Sequence, residues 1–421
     1  MEVQLFVFPV DQIIFLLIRG SISALFEPMF WMILALVGYQ YWQLQRNQIR
    51  MFGVYGYTLR RQVTLAAIYG LIGGLVGSFL LVSVGLTVNQ LGLAYIWPVA
   101  LVLMAIHMRF LCFAYAGGLV ALSSVLFGWP EVNVPQVLSL VAILHITESI
   151  LIFISGRYSA VPLIMRREDG KMVGAFSLQN FWPLPLVMLG AVSMPEASIP
   201  AGGVIDMPDW WPLLPLNLEV TEGYKWIYAM TSVIAALGYS DVAIASLPGE
   251  RRRQSAFHLA IYSIVLLILA VLSARYHWLQ AVAALVSPLG HELLIQWDNR
   301  RELNGAPRYI PPDEGIMILD TVVDSLARKI GLQPGDIIYY LAGIPINNGY
   351  DLSHALSYAP PEFSVQIKRN NKEHHFQAKF ANGERRLGII LVPQGNEEHF
   401  VEMRDERFWL WEWAKRKIGR R

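Results

Sequence analysis

One cysteine in 421 residues, Cys112, leaves no pair to oxidise, so an intrachain disulfide framework is excluded. The lone thiol, in an apolar run, is likewise read as excluding a cysteine-based metal site within one chain, and no metal or other cofactor is expected. Charge is scarce as well: Asp, Glu, Lys and Arg make up 15% of the chain, against about a quarter of an ordinary soluble domain. The start, Met1-Glu2-Val3, has no basic stretch and no small-residue cleavage site after it, so insertion through an uncleaved first helix is expected. Missing too are a Gly-x-Ser-x-Gly elbow, a phosphate-binding glycine loop and a Cys/His nucleophile arrangement, which argues against an enzyme. No internal repeat with paired broken helices is visible, which weakens a transporter reading. The formal net charge of +1 argues neither way about nucleic acid, and no nucleic-acid partner is expected.

What the chain has in abundance is apolar residues, 55% of the total. Before residue 297 they gather in windows of roughly 18 to 24 residues, the length a helix needs to cross hydrocarbon. Ten spans are expected: 3–18, 24–42, 63–85, 91–107, 110–128, 135–155, 178–194, 226–247, 256–274 and 277–296. Pro9 and Asp11 interrupt the first, and eight spans keep the same parity. Arg46, Arg50, Arg60 and Arg61 follow one span, Arg157, Arg166, Arg167 and Lys171 another, and Arg251, Arg252 and Arg253 a third. The connection 195–224 carries Glu196, Asp206, Asp209, Glu219 and Glu222 and no Lys or Arg. Basic loops stay inside, so alternation places both termini in the cytoplasm and 195–224 outside. That outer connection, with Pro195, Pro200, Pro208, Pro212, Pro215, Trp210 and Trp211, reads as an irregular interfacial loop rather than a sensor lid. Ala66, Gly70, Gly73, Gly74 and Gly77 form a small-residue helix face. Close packing within the chain is the first reading of that face, and a homo-oligomer the second.

Ionisable residues within the spans are Asp11, Glu27, His107, His145, Glu148, Asp241, His258, His291 and Glu292. His145 and Glu148 are three apart and share a helix face. A structural pair is favoured over a proton relay or half of a metal site. His291-Glu292-Leu293-Leu294-Ile295 begins like the His-Glu-x-x-His of intramembrane zinc proteases, but position 295 is isoleucine and the second imidazole is missing. A protease-like enzyme, or a transporter or sensor using His145 and Glu148, therefore remain the rival functions.

After Trp297-Asp298-Asn299-Arg300-Arg301-Glu302 the chain turns polar, giving a division into a membrane domain at 1–297, a soluble domain at 298–395 and a tail at 396–421. Residues 315–319 read as a buried strand, and 324–330 as a short helix capped by Asp324 and stopped by Gly331. Residues 336–341 read as a strand, 351–358 as a helix, and 363–380 as a hairpin turning at Asn370-Asn371. The run Ser325-Leu326-Ala327, Gly331-Leu332-Gln333-Pro334-Gly335-Asp336-Ile337-Ile338 and Ala342-Gly343-Ile344-Pro345-Ile346 resembles bacterial PDZ domains. The fold expected overall is thus a polytopic α-helical membrane domain of about 8–10 spans, followed by a small α+β PDZ domain of the permuted bacterial type. In that form the peptide-binding strand comes last. Arg386, Leu387, Gly388, Ile389 and Ile390 match it, and Leu352, Ala355 and Leu356 on the helix would form the opposite wall. Arg385 adds charge. In the tail, Trp409, Trp411 and Trp413 beside Lys415-Arg416-Lys417 suit anionic lipid or a docked partner.

The layout resembles the MinJ family of cell-division topological determinants. Arg109-Phe110-Leu111-Cys112-Phe113-Ala114-Tyr115-Ala116-Gly117-Gly118, His145-Ile146-Thr147-Glu148-Ser149 and Phe181-Trp182-Pro183-Leu184-Pro185 support the resemblance, together with the C-terminal run. The resemblance implies a non-catalytic scaffold at cell poles and division septa. It would link a polar scaffold of the DivIVA type to the MinD ATPase, so that MinC–MinD inhibits FtsZ assembly in the right place.

Overall fold

The computed structural model describes residues 8–155, 160–167, 169–199, 204–216, 222–380, 385–395 and 397–402. The tail tryptophans and its basic run lie outside the described residues, as do the first residues of the expected 3–18 span. The chain opens with six helices: α1 (Val10–Ala24), α2 (Pro28–Phe52), α3 (Leu59–Val84), α4 (Leu93–Ile106), α5 (Phe113–Phe127) and α6 (Val134–Ile154). Three strands follow, β1 (Ala160–Arg166), β2 (Met172–Pro195) and β3 (Tyr224–Ala243), then α7 (Pro248–Arg275) and α8 (Trp278–Asn304). The C-terminal part runs β4 (Ile316–Thr321), α9 (Leu326–Ile330), β5 (Ile337–Leu341), β6 (Ile344–Pro345), α10 (Gly349–Tyr358), β7 (Glu362–Arg369), β8 (Lys372–Lys379), β9 (Ile389–Leu391) and β10 (Val401–Glu402).

Four of these helices, α3, α6, α7 and α8, are long and apolar enough to cross a membrane. The count is five if α1 and α2, bent by 71° at their junction, form one broken span. Among the described residues, then, the helices able to span a membrane are fewer than the ten expected. Helices α4 and α5 are shorter apolar segments. Helix α6 lies at the centre, buried along nearly its whole length, and packs on α3, α5 and α7. Its start is fixed by Asn133, which accepts from the Gln136 N–H at 3.2 Å, and by Pro135 in the first turn.

Expected spans 178–194 and 226–247 are not helices. They are the two arms of one long antiparallel hairpin, paired without interruption from Phe176–Ala243 to Pro195–Tyr224. The hairpin runs beside α3, so its middle lies at the depth of a membrane-crossing helix. A strand edge there must satisfy its main chain within the protein, since hydrocarbon offers no partner. The β2 edge turned away from β3 does so at several positions through the neighbouring elements. The Phe181 N–H donates to the Tyr41 hydroxyl (3.2 Å), the Val187 N–H to Ser78 Oγ (2.7 Å) and the Ala191 N–H to Asn89 Oδ1 (2.7 Å). Asn89 Nδ2 returns a bond to the Ala191 carbonyl, and the Val88 N–H donates to the Leu189 carbonyl at 2.7 Å. Positions 183 and 185, of the same parity, are prolines, which have no N–H to leave unpaired.

The small-residue face of α3 exists for this edge. A Cβ on Gly70 would come within 2.0 Å of the Pro183 carbonyl oxygen, and one on Gly74 within 2.7 Å of the Pro185 carbonyl oxygen. Glycine alone lets the strand approach so closely. Gly73 and Gly77 of the same face receive Leu151 of α6 and Leu186 of β2.

The C-terminal sheet has the order β8-β7-β5-β4-β9, with β6 paired to β5. The β7–β8 turn places Asn370 and Asn371 at positive φ (49° and 61°), the geometry that suits a two-residue hairpin. Helix α9 is capped by Ser325, which accepts from the Arg328 N–H, rather than by Asp324. Gly331 ends it at φ +91°. Asp336, 1% exposed, is held by Arg369 through two bonds of 2.6 and 2.7 Å, and this pairing holds the guanidinium more firmly charged than usual.

No loose linker separates this sheet from the helices. Helix α8 continues past residue 297 to Asn304. The Gly174 N–H of β2 donates to the Tyr309 carbonyl at 2.8 Å, and Tyr309 packs edge-on against Phe176. Leu319, Ile390 and Val392 join the same buried cluster. Strand β10 pairs with β1, where Arg166 meets Glu402 at 2.7 Å.

Candidate functional site

Strand β9 is the edge of the C-terminal sheet, and α10 lies beside it. The Val322 N–H bonds the Gly388 carbonyl (2.9 Å) and the Val392 N–H bonds the Met317 carbonyl (3.0 Å). In an antiparallel pair this pattern turns the main chain of Ile389 and Leu391 away from β4, toward the open side. Gly388, at φ +74°, makes the turn into the strand. A trans peptide directs its N–H opposite to the preceding carbonyl. The Leu387 and Gly388 carbonyls are bonded by Ala327 and Val322, so the amides of Gly388 and Ile389 each point away from those donors.

Side chains divide by face. Leu387, Leu352 and Ala355 are buried in the core of the C-terminal sheet, and Ile389 and Leu356 pack at its border. Arg386 is exposed. Ile390, expected in the groove, faces the opposite way and belongs to the buried cluster that includes Phe176 and Tyr309, because neighbouring strand residues alternate. Arg385 donates to the Ser357 and Ala359 carbonyls at the end of α10, tying down the helix terminus.

A second cluster lies inside the helix bundle. Cys112 is the N-cap of α5, His145 sits midway along α6 and His291 midway along α8. Cys112 Sγ is 3.1 Å from His145 Nε2 and 3.8 Å from His291 Nε2. One donor atom from each of the three lies within 4.8 Å of the others. The lone cysteine thus does not rule out a mixed cysteine–histidine cluster, since imidazoles can supply the other donors. A second imidazole beside His291 is supplied by α6, in His145. His145 Nδ1 bonds the Val141 carbonyl at 2.7 Å, so both ring nitrogens are engaged away from Glu148 and the expected pair is not hydrogen-bonded. Glu292 is held apart from the cluster by the Tyr115 hydroxyl (2.7 Å), Arg109 (3.1 Å) and Gln296 (2.8 Å).

No family model matches the chain. A curated relative does. The chain is 25% identical over 276 residues to the cell division topological determinant MinJ of Bacillus subtilis strain 168. The match spans 65% of this chain and 64% of that protein's length, under two thirds of it.

Two other ionisable residues of the apolar stretches, Asp241 and His258, join a charged network with Arg251 and Asp298. Arg251, 1% exposed, bridges Asp241 (2.8 Å) and the Asp298 carbonyl (3.1 Å). His258 Nδ1 lies 2.8 Å from Asp298. The Glu302 carboxylate accepts from the Ile244, Ala245 and Ser246 N–H groups and from the Ser246 hydroxyl. It gathers the β3–α7 turn onto α8, so this network reads as structural.

Proposed function

We propose that the chain is a non-catalytic, membrane-anchored adaptor in bacterial division-site placement. Its helices and hairpin would hold residues 298–395 on the cytoplasmic face at poles and septa. That region is read as a PDZ domain of the permuted type. Its peptide groove lies between β9 and α10, with Arg386, Leu387, Gly388 and Ile389 on one side and Leu352, Ala355 and Leu356 on the other. The partners would be a DivIVA-type polar scaffold and the MinD ATPase. The observation that carries this reading is the β9 edge, unpaired among the described residues: the main chain of Ile389 and Leu391 faces away from β4 beside a helix, as strand addition by a peptide requires, and the Gly388 and Ile389 amides suit a carboxylate. The similarity to a cell-division topological determinant supports the setting.

The test uses the full chain in membranes. Ile389→Pro removes an outward N–H from the edge, and Leu356→Glu places charge at the border of the groove. Each is expected to weaken capture of the DivIVA-type scaffold or of MinD by more than about tenfold, with insertion and expression unchanged; one backbone N–H and the strand fit around it account for ~1.4 kcal/mol or more. Wild-type capture by both variants would remove the groove from the account.

A further inference from the structure

We propose that Cys112, His145 and His291 form a zinc site with one position left open, buried between α5, α6 and α8. The plain alternative is a thiol–imidazole hydrogen bond, and the 3.1 Å contact between Cys112 and His145 would satisfy it. The third member exceeds that reading. His291 is buried, its Nε2 faces the same sulfur, and its Nδ1 has no hydrogen-bond partner. Nothing in a two-member hydrogen bond calls for a second imidazole there.

Geometry supports an ion. For zinc–sulfur and zinc–nitrogen bonds of about 2.3 and 2.0–2.1 Å at tetrahedral angles, a sulfur and a nitrogen donor stand roughly 3.5–3.6 Å apart. The sulfur–nitrogen separations of 3.1 and 3.8 Å in the structure lie on either side of that range. Tautomer supports it as well. A carbonyl only accepts, so the contact from His145 Nδ1 to the Val141 oxygen at 2.7 Å puts the proton on Nδ1. That leaves the Nε2 lone pair directed at the sulfur, the usual way a protein presents a metal-binding imidazole.

The rings are held in place by aromatic walls. Tyr115 stands edge-on to His291 at 5.3 Å, Tyr262 packs against both imidazoles, and the two imidazoles lie 5.1 Å apart. Tyr262 is itself fixed by its hydroxyl bond to the Ser287 carbonyl at 2.7 Å, one turn before His291. One thiolate and two neutral imidazoles suit a borderline-soft divalent ion rather than magnesium or calcium. Binding would lock three helices together with no requirement for catalysis, consistent with an adaptor.

The experiment takes the full chain in detergent, stripped with a chelator and re-equilibrated with zinc. Bound metal is measured after desalting, and cobalt(II) then replaces zinc for spectroscopy. Wild type should keep stoichiometric zinc and show a thiolate-to-cobalt charge-transfer band. Cys112→Ser and His291→Gln, which nearly preserve volume, should each lower affinity by about 100-fold or more, and Cys112→Ser should lose that band. Equal zinc on wild type and on the triple variant C112S/H145Q/H291Q would overturn the proposal by assigning the metal to exposed histidines. Should the variants fail to fold, wild-type cobalt decides alone: no thiolate band, no site.

Discussion

Replacing Gly70 by alanine adds one methyl group to α3 where β2 lies against it. A Cβ there would stand 2.0 Å from the Pro183 carbonyl oxygen and 3.0 Å from its carbon, both main-chain atoms that no rotamer change can move. Helix and hairpin must separate by more than an ångström. Overpacking of this kind costs about 1–3 kcal/mol. Separation also lengthens the nearby bond from the Val187 N–H to Ser78, 2.7 Å in the native chain, at about 1 kcal/mol. Against this, alanine in a helix gains about 1 kcal/mol over glycine. The net expectation is a loss of about 2 kcal/mol. Gly38→Ala supplies the control, because its Cβ meets only Val63 at an ordinary 3.6 Å, leaving the helix gain of up to about 1 kcal/mol. Thermal unfolding of both variants in the same detergent, read by tryptophan fluorescence, makes the comparison. If Gly70→Ala proves as stable as Gly38→Ala, the close seating of β2 on α3 is wrong.

Ser78→Ala leaves the Val187 N–H facing apolar surroundings and should cost about 1–3 kcal/mol in the same assay; Ser83→Ala, which loses only a bond within its own helix, should cost less. Glu302→Gln keeps the shape but removes the charge that gathers three N–H groups, so proteolysis of the β3–α7 turn should accelerate. Burial raises the Tyr309 phenol from 10.0 to about 12. The fold therefore favours the neutral form, with its contribution complete below pH 10 and lost as pH rises toward 12. Amide exchange around Gly174 should increase over that window, and Tyr309→Phe should abolish the change. Tyr309→Phe should cost little, since the hydroxyl has no hydrogen-bond partner, whereas Tyr309→Ala should cost about 3–5 kcal/mol.

The apolar helices were legible in the sequence because length and hydropathy alone define them, and the C-terminal strands because Gly331, Gly335, Asn370 and Asn371 punctuate them. The hairpin was not. In a chain this apolar, 178–194 and 226–247 pass the same hydropathy test as a helix. A signal was available: Pro183 and Pro185, two residues apart in mid-segment, would each break a helix, yet both fit one edge of a strand. Ile390 was misplaced because sequence alone does not say which face of a strand meets a second core. The cluster at Cys112 was invisible for a simpler reason: His145 and His291 lie 33 and 179 residues away along the chain, far beyond any local motif. The similarity to MinJ agrees with the resemblance read from the sequence, while the groove and its partners await the tests above.

The groups that seal the far edge of β2 have one further property, which concerns synthesis. Tyr41, Ser78, Val88 and Asn89 all precede residue 172, and so do Gly70 and Gly74. When the ribosome releases β2, each of these groups has already been made. A permuted gene that delivered α3 after β3 would ask the membrane to receive a bare strand, and such a chain should be degraded rather than inserted.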